Sequence, residues 1–337
     1  MKLKRSLYVL PLLAPFLLHA GQGVGDLKNR ADELFYQDQP AAAEKPLDNF
    51  KEGAVGILLM AHGGSPQWDQ AVREAARPLR QKVPIDIAYG MADPATIQAA
   101  ILKLESLGVR KVAVVRLFIS GDSFKERTEK ILGLKPGATA KPKDSDVSGH
   151  DEGHDHQGHD PDKMPLWRVE TKSSFVMSEE GLMDDPWRMG EIVADRVAGL
   201  AKNPSLESVI LIGHGPAGDE ENAKWLRQMT IVANQIRSTR HFRNVRVETL
   251  REDWPEQRKS AEERIQRFVN EARDSGGIAI VVPFRLFGFG PYAQVLEGIE
   301  YRADGKGLLP DPRITKWIEN QAGKSFAEKN WDNPLTR

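Results

Sequence analysis

The chain has 337 residues, with 47 Lys and Arg against 48 Asp and Glu, a formal charge of −1, and no cysteine. The balance excludes a global polybasic field of the kind that grips nucleic acid or an anionic membrane. The missing thiols exclude disulfides, a lipoprotein anchor and thiolate metal sites, so any metal must sit on histidine, carboxylate or water, a set suited to Co, Ni, Zn or Fe(II).

Residues 1–20 read as a secretory signal peptide: Lys2, Lys4 and Arg5 start it, Leu7 to Leu18 is apolar, and Ala20-Gly21 offers a small-residue cut. The apolar run is short for a membrane span, leaving an uncleaved anchor as the alternative. A periplasmic or secreted location is the expectation, with no stable membrane span after cleavage. Residues 21–50 are polar and Ala/Pro/Gln-rich and read as a linker.

From Ala54 the chain alternates strand and helix. Val55 to Met60 is an apolar strand and Trp68 to Gln81 has helical spacing. Ile85 to Tyr89 is a second strand, and Asp93-Pro94 places an N-cap and a first-turn proline before Ile97, Ile101 and Leu104. Val112 to Phe118 is apolar enough to be buried on both faces. Residues 135–164 lose all apolar periodicity and read as a surface insertion. Trp167 to Val176 alternates like a strand, and Asp185-Pro186 opens another helix.

The scheme then repeats. Val209 to Ile212, Val245 to Leu250 and Ile278 to Phe284 read as strands, Glu220 to Ser238 and Pro255 to Arg273 as helices, and Asp311-Pro312 opens a final helix. Arg116-Leu117-Phe118 is matched by Arg285-Leu286-Phe287, and Gly181-Leu182 by Gly307-Leu308. The expectation is an α/β protein of two similar doubly wound parallel-sheet domains from an internal duplication. The first spans 51–203 with the insertion 135–164, the second 204–325, and 326–337 is a tail.

The repeated strands carry the candidate chemistry. The first ends in His62-Gly63-Gly64, and its counterpart ends in His214-Gly215-Pro216. In open α/β sheets ligands bind outside the carboxyl ends of the strands, so each strand delivers an imidazole to that edge. A histidine there suits metal ligation or proton acceptance; a lone strand cap is the structural alternative.

The insertion holds His150, His154, His156 and His159 among acids. Imidazole and carboxylate on a flexible segment bind borderline divalent ions loosely, which fits a store or a delivery arm. The loops after each third strand offer Glu126 and Glu297 as proton acceptors, Arg116, Arg127 and Arg285 as clamps for substrate carboxylates, and Tyr292 beside them as a substrate-binding group. Surface ion pairing is the plain alternative for each. Ala61-His62-Gly63-Gly64 also resembles a hydrolase oxyanion loop, but the chain has no G-x-S-x-G elbow, no Walker A motif and no dinucleotide fingerprint.

These motifs resemble the class II tetrapyrrole chelatases, specifically the sirohydrochlorin chelatase CbiX/SirB family, over roughly residues 54–322. The likeness rests on Met60-Ala61-His62-Gly63-Gly64, on Ala92-Asp93-Pro94-Ala95-Thr96, on Val112 to Gly121, on Leu211-Ile212-Gly213-His214-Gly215 and on Gly307 to Pro312. The resemblance implies insertion of Co(II) or Fe(II) into a carboxylate-rich macrocycle held between two α/β domains, with no organic cofactor. Co, Fe or Ni is the bound or inserted ion, and His62 matches the family's first metal-binding histidine. The family's second histidine, in the loop after strand three, is replaced here by Ser120-Gly121-Asp122-Ser123-Phe124. The protoporphyrin ferrochelatases would instead make His214 with Glu297 or Glu300 the working pair. A non-catalytic metal-binding or delivery protein on the same fold is the alternative.

Overall fold

The computed structural model describes residues 52–143 and 164–336. The signal peptide 1–20, the linker 21–50 and the histidines at 150, 154, 156 and 159 lie outside the described residues. Those described belong to a single compact unit.

Among the described residues, seven strands form two parallel sheets. The first orders β2 (Ile85–Tyr89), β1 (Ala54–Ala61), β3 (Val109–Leu117) and β4 (Ser174–Met177); the second orders β6 (Asn244–Thr249), β5 (Glu207–Gly213) and β7 (Ile278–Phe284). In each sheet the histidine-bearing strand lies between its neighbours, in unbroken register with both from Ile57 to Ala61 and from Ser208 to Gly213. Helices α1 (Pro66–Arg80), α2 (Pro94–Ser106), α3 (Lys125–Ile131), α4 (Pro186–Leu200), α5 (Asp219–Thr239), α6 (Pro255–Asp274), α7 (Tyr292–Val295) and α8 (Pro312–Glu328) connect and cover them. The fold is α/β with two parallel sheets.

Strand side chains alternate between faces, and the core follows that period. Ile57 and Leu59 of β1 and Val209 and Leu211 of β5 enter one central cluster that spans both sheets. Leu58 and Met60 join an outer cluster with α2, and Ile210 and Ile212 join another with α6.

The two chain halves exchange helices. Helix α4 follows β4 in sequence but packs on α5 and β7, whereas α8 follows the second sheet and packs back on α1, β3 and β4. Ile314, Trp317, Ile318, Ala322 and Phe326 form the buried stripe of α8. A cut near residue 203 therefore follows the sequence repeat, while the packing crosses it.

Three expectations change. The final helix runs through Glu328, and Phe326 and Leu335 are buried, so the supposed tail from 326 is packed. Trp167 to Val176 is not one strand: Trp167 makes an isolated bridge to Thr139, and only Ser174–Met177 pairs with β3. Residues 125–131, read as loop, are helix α3. Among the described residues no helix is long and apolar enough to cross a membrane.

Candidate functional site

Both histidines stand one residue beyond a buried strand, and the same local chemistry turns each. Gly63 has φ +74° and Gly215 φ +80°. A side chain there would be strained in φ and would crowd Tyr89 or Thr249 in the neighbouring strand. The His62 carbonyl accepts from Gly90 N at 2.9 Å, and the His214 carbonyl from Arg251 N at 2.6 Å, so each turn is tied to the loop after the adjacent strand.

The imidazoles then differ. His62 places Nδ1 3.0 Å from the Gly63 carbonyl. A carbonyl only accepts, so Nδ1 carries a hydrogen. The ring stacks on Trp68, with centroids 5.6 Å apart and planes 17° apart.

His214 places Nδ1 2.7 Å from the Gly215 carbonyl and Nε2 3.1 Å from Asp253 Oδ2. Both neighbours are acceptors, so the imidazolium is the form that satisfies them together. Burial acts to lower the His214 pKa, but the Asp253 hydrogen bond and the Glu252 charge outweigh it and raise the value above 6.5. Asp253 is held below 3.8, mainly by the His214 hydrogen bond, with smaller help from the charges of Arg285 and His62. One carboxylate thus feels both strand-end histidines.

That carboxylate sits on the loop after β6, between Thr249 and α6. Arg251 there adopts φ +58° and is buried, donating to the Ala217 carbonyl and, at 2.8 Å, to Asp219. Glu252 accepts from Arg285 Nη1 at 2.5 and 2.7 Å, and the Trp254 ring meets His214 edge-on at 6.0 Å. At the positions matching Glu252 and Asp253 the loop after β2 carries Met91 and Ala92, and its one acid, Asp93, caps α2. The acidic pair therefore breaks the symmetry of the repeat and puts the carboxylates in the second half. The sequence reading missed Asp253 and Glu252. The signal was there, because an acid pair directly after a parallel strand lies on the same sheet edge as the histidines.

The other candidates fall elsewhere. Arg116 is not a substrate clamp: it is 1% exposed and donates to the carbonyls of Gly121, Ser123, Ser178 and Glu179, bracing the loop after β3. Arg127 donates to the Ala92 and Pro165 carbonyls. Arg285 is committed to Glu252 and lies 5.9 Å over the ring of Tyr292, which is itself fully buried and cannot meet a ligand directly. Burial, then the Glu252 charge, pushes the Tyr292 hydroxyl well above its ordinary value. Glu126 pairs with Lys130 at the surface. Glu297 and Glu300 are exposed on the segment after α7. Among the described residues no three His, Asp or Glu side chains are grouped to hold a metal ion.

Cations do border an opening at the carboxyl edge. A cavity of about 250 Å³ lies between Ser120–Asp122, the 179–184 turn and the first turns of α5, and exposed Lys224 and Arg227 line it along with acids.

Two expected results follow. Replacing Arg116 with Met strips a buried guanidinium from four carbonyls and should cost on the order of 3–5 kcal/mol, read as a lower denaturant midpoint. The His214–Asp253 pair should stabilise the fold most between the two ordinary values of 3.8 and 6.5. The His214 contribution is complete below 6.5 and is lost as pH rises through its raised folded value; the Asp253 contribution is complete above 3.8 and is lost as pH falls through its depressed one. Thermal unfolding of Asp253→Asn against wild type should differ most inside that window and converge in alkali.

No protein-family model matches the chain, and no curated protein matches it. Solved structures do. SirB from Bacillus subtilis with Fe3+ is similar at a TM-score of 0.55 and 14% identity, over 83% of this chain and 99% of that one. The sirohydrochlorin chelatase SirB from Bacillus subtilis subspecies spizizenii, in complex with cobalt, is similar at 0.52 and 13%, with the same coverage of 83% and 99%. The architecture of this chain is therefore a chelatase-like α/β fold.

Proposed function

We propose that the protein is an exported tetrapyrrole metal chelatase that inserts Co(II) or Fe(II) into a sirohydrochlorin-type macrocycle. The observation that carries this reading is the division of labour at the strand ends. His62 holds its Nδ1 hydrogen on the Gly63 carbonyl, which assigns Nε2 to the incoming metal, and His214 is coupled to a carboxylate.

Metallation replaces two pyrrole protons by one cation, so a metal ligand and a proton acceptor are both needed. One imidazole cannot do both at once. In the proposed reaction the metal is the substrate and arrives on His62. His214 takes one pyrrole proton when neutral and becomes the imidazolium, which Asp253 and the Gly215 carbonyl stabilise, and the second pyrrole proton goes to water. Peripheral carboxylates of the macrocycle fall to Lys224 and Arg227, since Arg116, Arg127 and Arg285 are spent inside the protein. The metal-binding His-rich insertion and the signal peptide complete the proposal: capture of a scarce cation outside the cytoplasm.

The His-rich insertion favours one second reading, a non-catalytic metal-delivery protein. Metallation of sirohydrochlorin followed by absorbance separates them, using full-length protein beside a form lacking residues 149–160. Chelatase function predicts turnover in both, with the deletion costing most at low metal. Delivery alone predicts metal binding that vanishes with the loop, and no turnover in either.

A further inference from the structure

We propose that the exposed face of α5 from Ile231 to its carboxyl end, together with Trp187 of α4, is a docking surface for an anionic lipid bilayer.

The near-zero formal charge conceals an uneven distribution. From Asn222 to Val247 the chain has no Asp or Glu, yet it carries Lys224, Arg227, Arg237, Arg240, Arg243 and Arg246, with His241 among them. The acids of α5 are confined to its first turn, at Asp219, Glu220 and Glu221.

The fold sorts these cations. Trp225, Met229, Val232, Ala233 and Ile236 form the buried stripe of α5, so Ile231, Asn234 and Arg237 lie on the opposite face. Arg240, His241 and Arg243 follow directly after the helix and are exposed. Phe242 between them packs against the central cluster and fixes the connection to β6. Arg246 leaves the group, with its guanidinium 4.9 Å over the Phe268 ring of α6.

Among the described residues none of Arg237, Arg240 and Arg243 is ion-paired with a carboxylate. Arg237 donates to the Asn234 amide oxygen and the Val245 carbonyl, and Arg243 donates to the Ser275 carbonyl at 2.8 Å. These neutral acceptors hold the side chains and leave their charges uncompensated. The helix macrodipole favours a cation in the last turn, which accounts for Arg237. It supplies no reason for Arg243, which lies in the connection to β6.

Two large apolar side chains accompany the cations. Trp187 is 70% exposed and Ile231 42% exposed. They belong to neighbouring helices. A side chain on Gly190 of α4 would collide with Gln235 and with the Val232 carbonyl of α5, and Met183 and Gln228 line one cavity, so the two helices run side by side in the same direction. Trp187 lies one turn before Gly190, and Ile231 one turn before Gln235, which sets both at the same level. The first turn of α4 is pinned by Asp185, which accepts from Arg188 N at 3.2 Å.

This combination selects the occupant. Arginines without counter-charges match an anionic surface, and each cation near such a surface strengthens binding about fivefold. An exposed indole suits the headgroup level of a bilayer, and an aliphatic side chain beside it suits the acyl boundary. Nucleic acid would use the cations and the indole, but Ile231 offers a base no ring to stack on.

The test is co-sedimentation with vesicles of phosphatidylcholine, alone or mixed with phosphatidylglycerol. The protein used begins at Gly21, which removes the apolar run from Leu7 to Leu18 and keeps the whole compact unit. Wild type and a variant with Arg237, Arg240 and Arg243 changed to Lys should bind the mixed vesicles within about threefold of each other, and the plain vesicles far more weakly. The matching Gln variant should bind the mixed vesicles about 100-fold more weakly. If it does not fold, Arg240→Gln carries the comparison with a loss of about fivefold. Trp187→Ser with Ile231→Ser, at exposed positions, should lose about tenfold. Equal binding to both vesicle types, or no binding to either, overturns the proposal. So does a folded Gln variant or a serine pair with wild-type binding, and so does a single-stranded oligonucleotide held as tightly as the mixed vesicles. Neither metal nor macrocycle enters the test, so its outcome is independent of the proposed reaction.

Discussion

Replacing His62 with Ala should lower kcat/KM for metallation by about a thousandfold, on the order of 4 kcal/mol of transition-state stabilisation. The loss should appear chiefly in the metal dependence. His62 is the strand-end imidazole whose Nδ1–H is spent on the Gly63 carbonyl, and the proposed reaction gives its Nε2 to the metal. Alanine removes that ligand while leaving Gly63 and the His62 carbonyl contact to Gly90 in place, so the turn should persist. The folded state gives up only a half-buried ring, and the unfolding midpoint should move little. Initial rates at saturating macrocycle across a range of Co(II) check the prediction. Unchanged metal dependence would place the ligand elsewhere.

Replacing Asp253 with Asn should cut the maximal rate by about a hundredfold, the low end of what a positioned acid or base contributes. It should also move the acid limb of the pH–rate profile. The sign follows from the pair. Asp253 and Glu252 raise the His214 pKa above 6.5 against the opposing effect of burial. His214 accepts a proton only when neutral, so the wild-type rate climbs as pH rises through that raised value. Asparagine takes away the charge partner, burial regains influence, and the limb shifts to lower pH. A simple structural role for Asp253 would lower the rate without shifting the limb. Asp253→Glu should restore part of the rate and most of the limb's position.

Much of the fold was legible because strand and helix alternate with clear periodicities and capping signals. Asp93-Pro94 and Asp311-Pro312 mark their helices directly, with the aspartate side chain accepting from the first turn in both. The repeated His-Gly after β1 and β5 was read as the carboxyl end of a strand, and each histidine does stand one residue beyond its strand. The exchange of α4 and α8 was not legible, because an amphipathic stripe says that a helix buries one face but not against which sheet.

The site was legible in part for a similar reason. Arg116 and Arg285 sit in matched triplets, which drew them into a functional reading. Burial put one on backbone carbonyls and the other on Glu252, contacts with partners distant in sequence. Tyr292 was read as a substrate-binding group and is fully buried beneath Arg285. Asp253 is hard to pick out because the repeated motifs mark the loops after the first and third strands of each half. The loop after the second strand of the second half supplies the acid.

The most direct test of the central claim is the metallation rate of full-length protein beside the His62→Ala/His214→Ala double variant. Both are supplied with sirohydrochlorin and Co(II) or Fe(II), with the His-rich insertion intact. The account predicts repeated turnover by wild type and a rate at the uncatalysed level for the double variant. Equal rates for the two proteins would contradict it, since the strand-end histidines would then have no part in the chemistry.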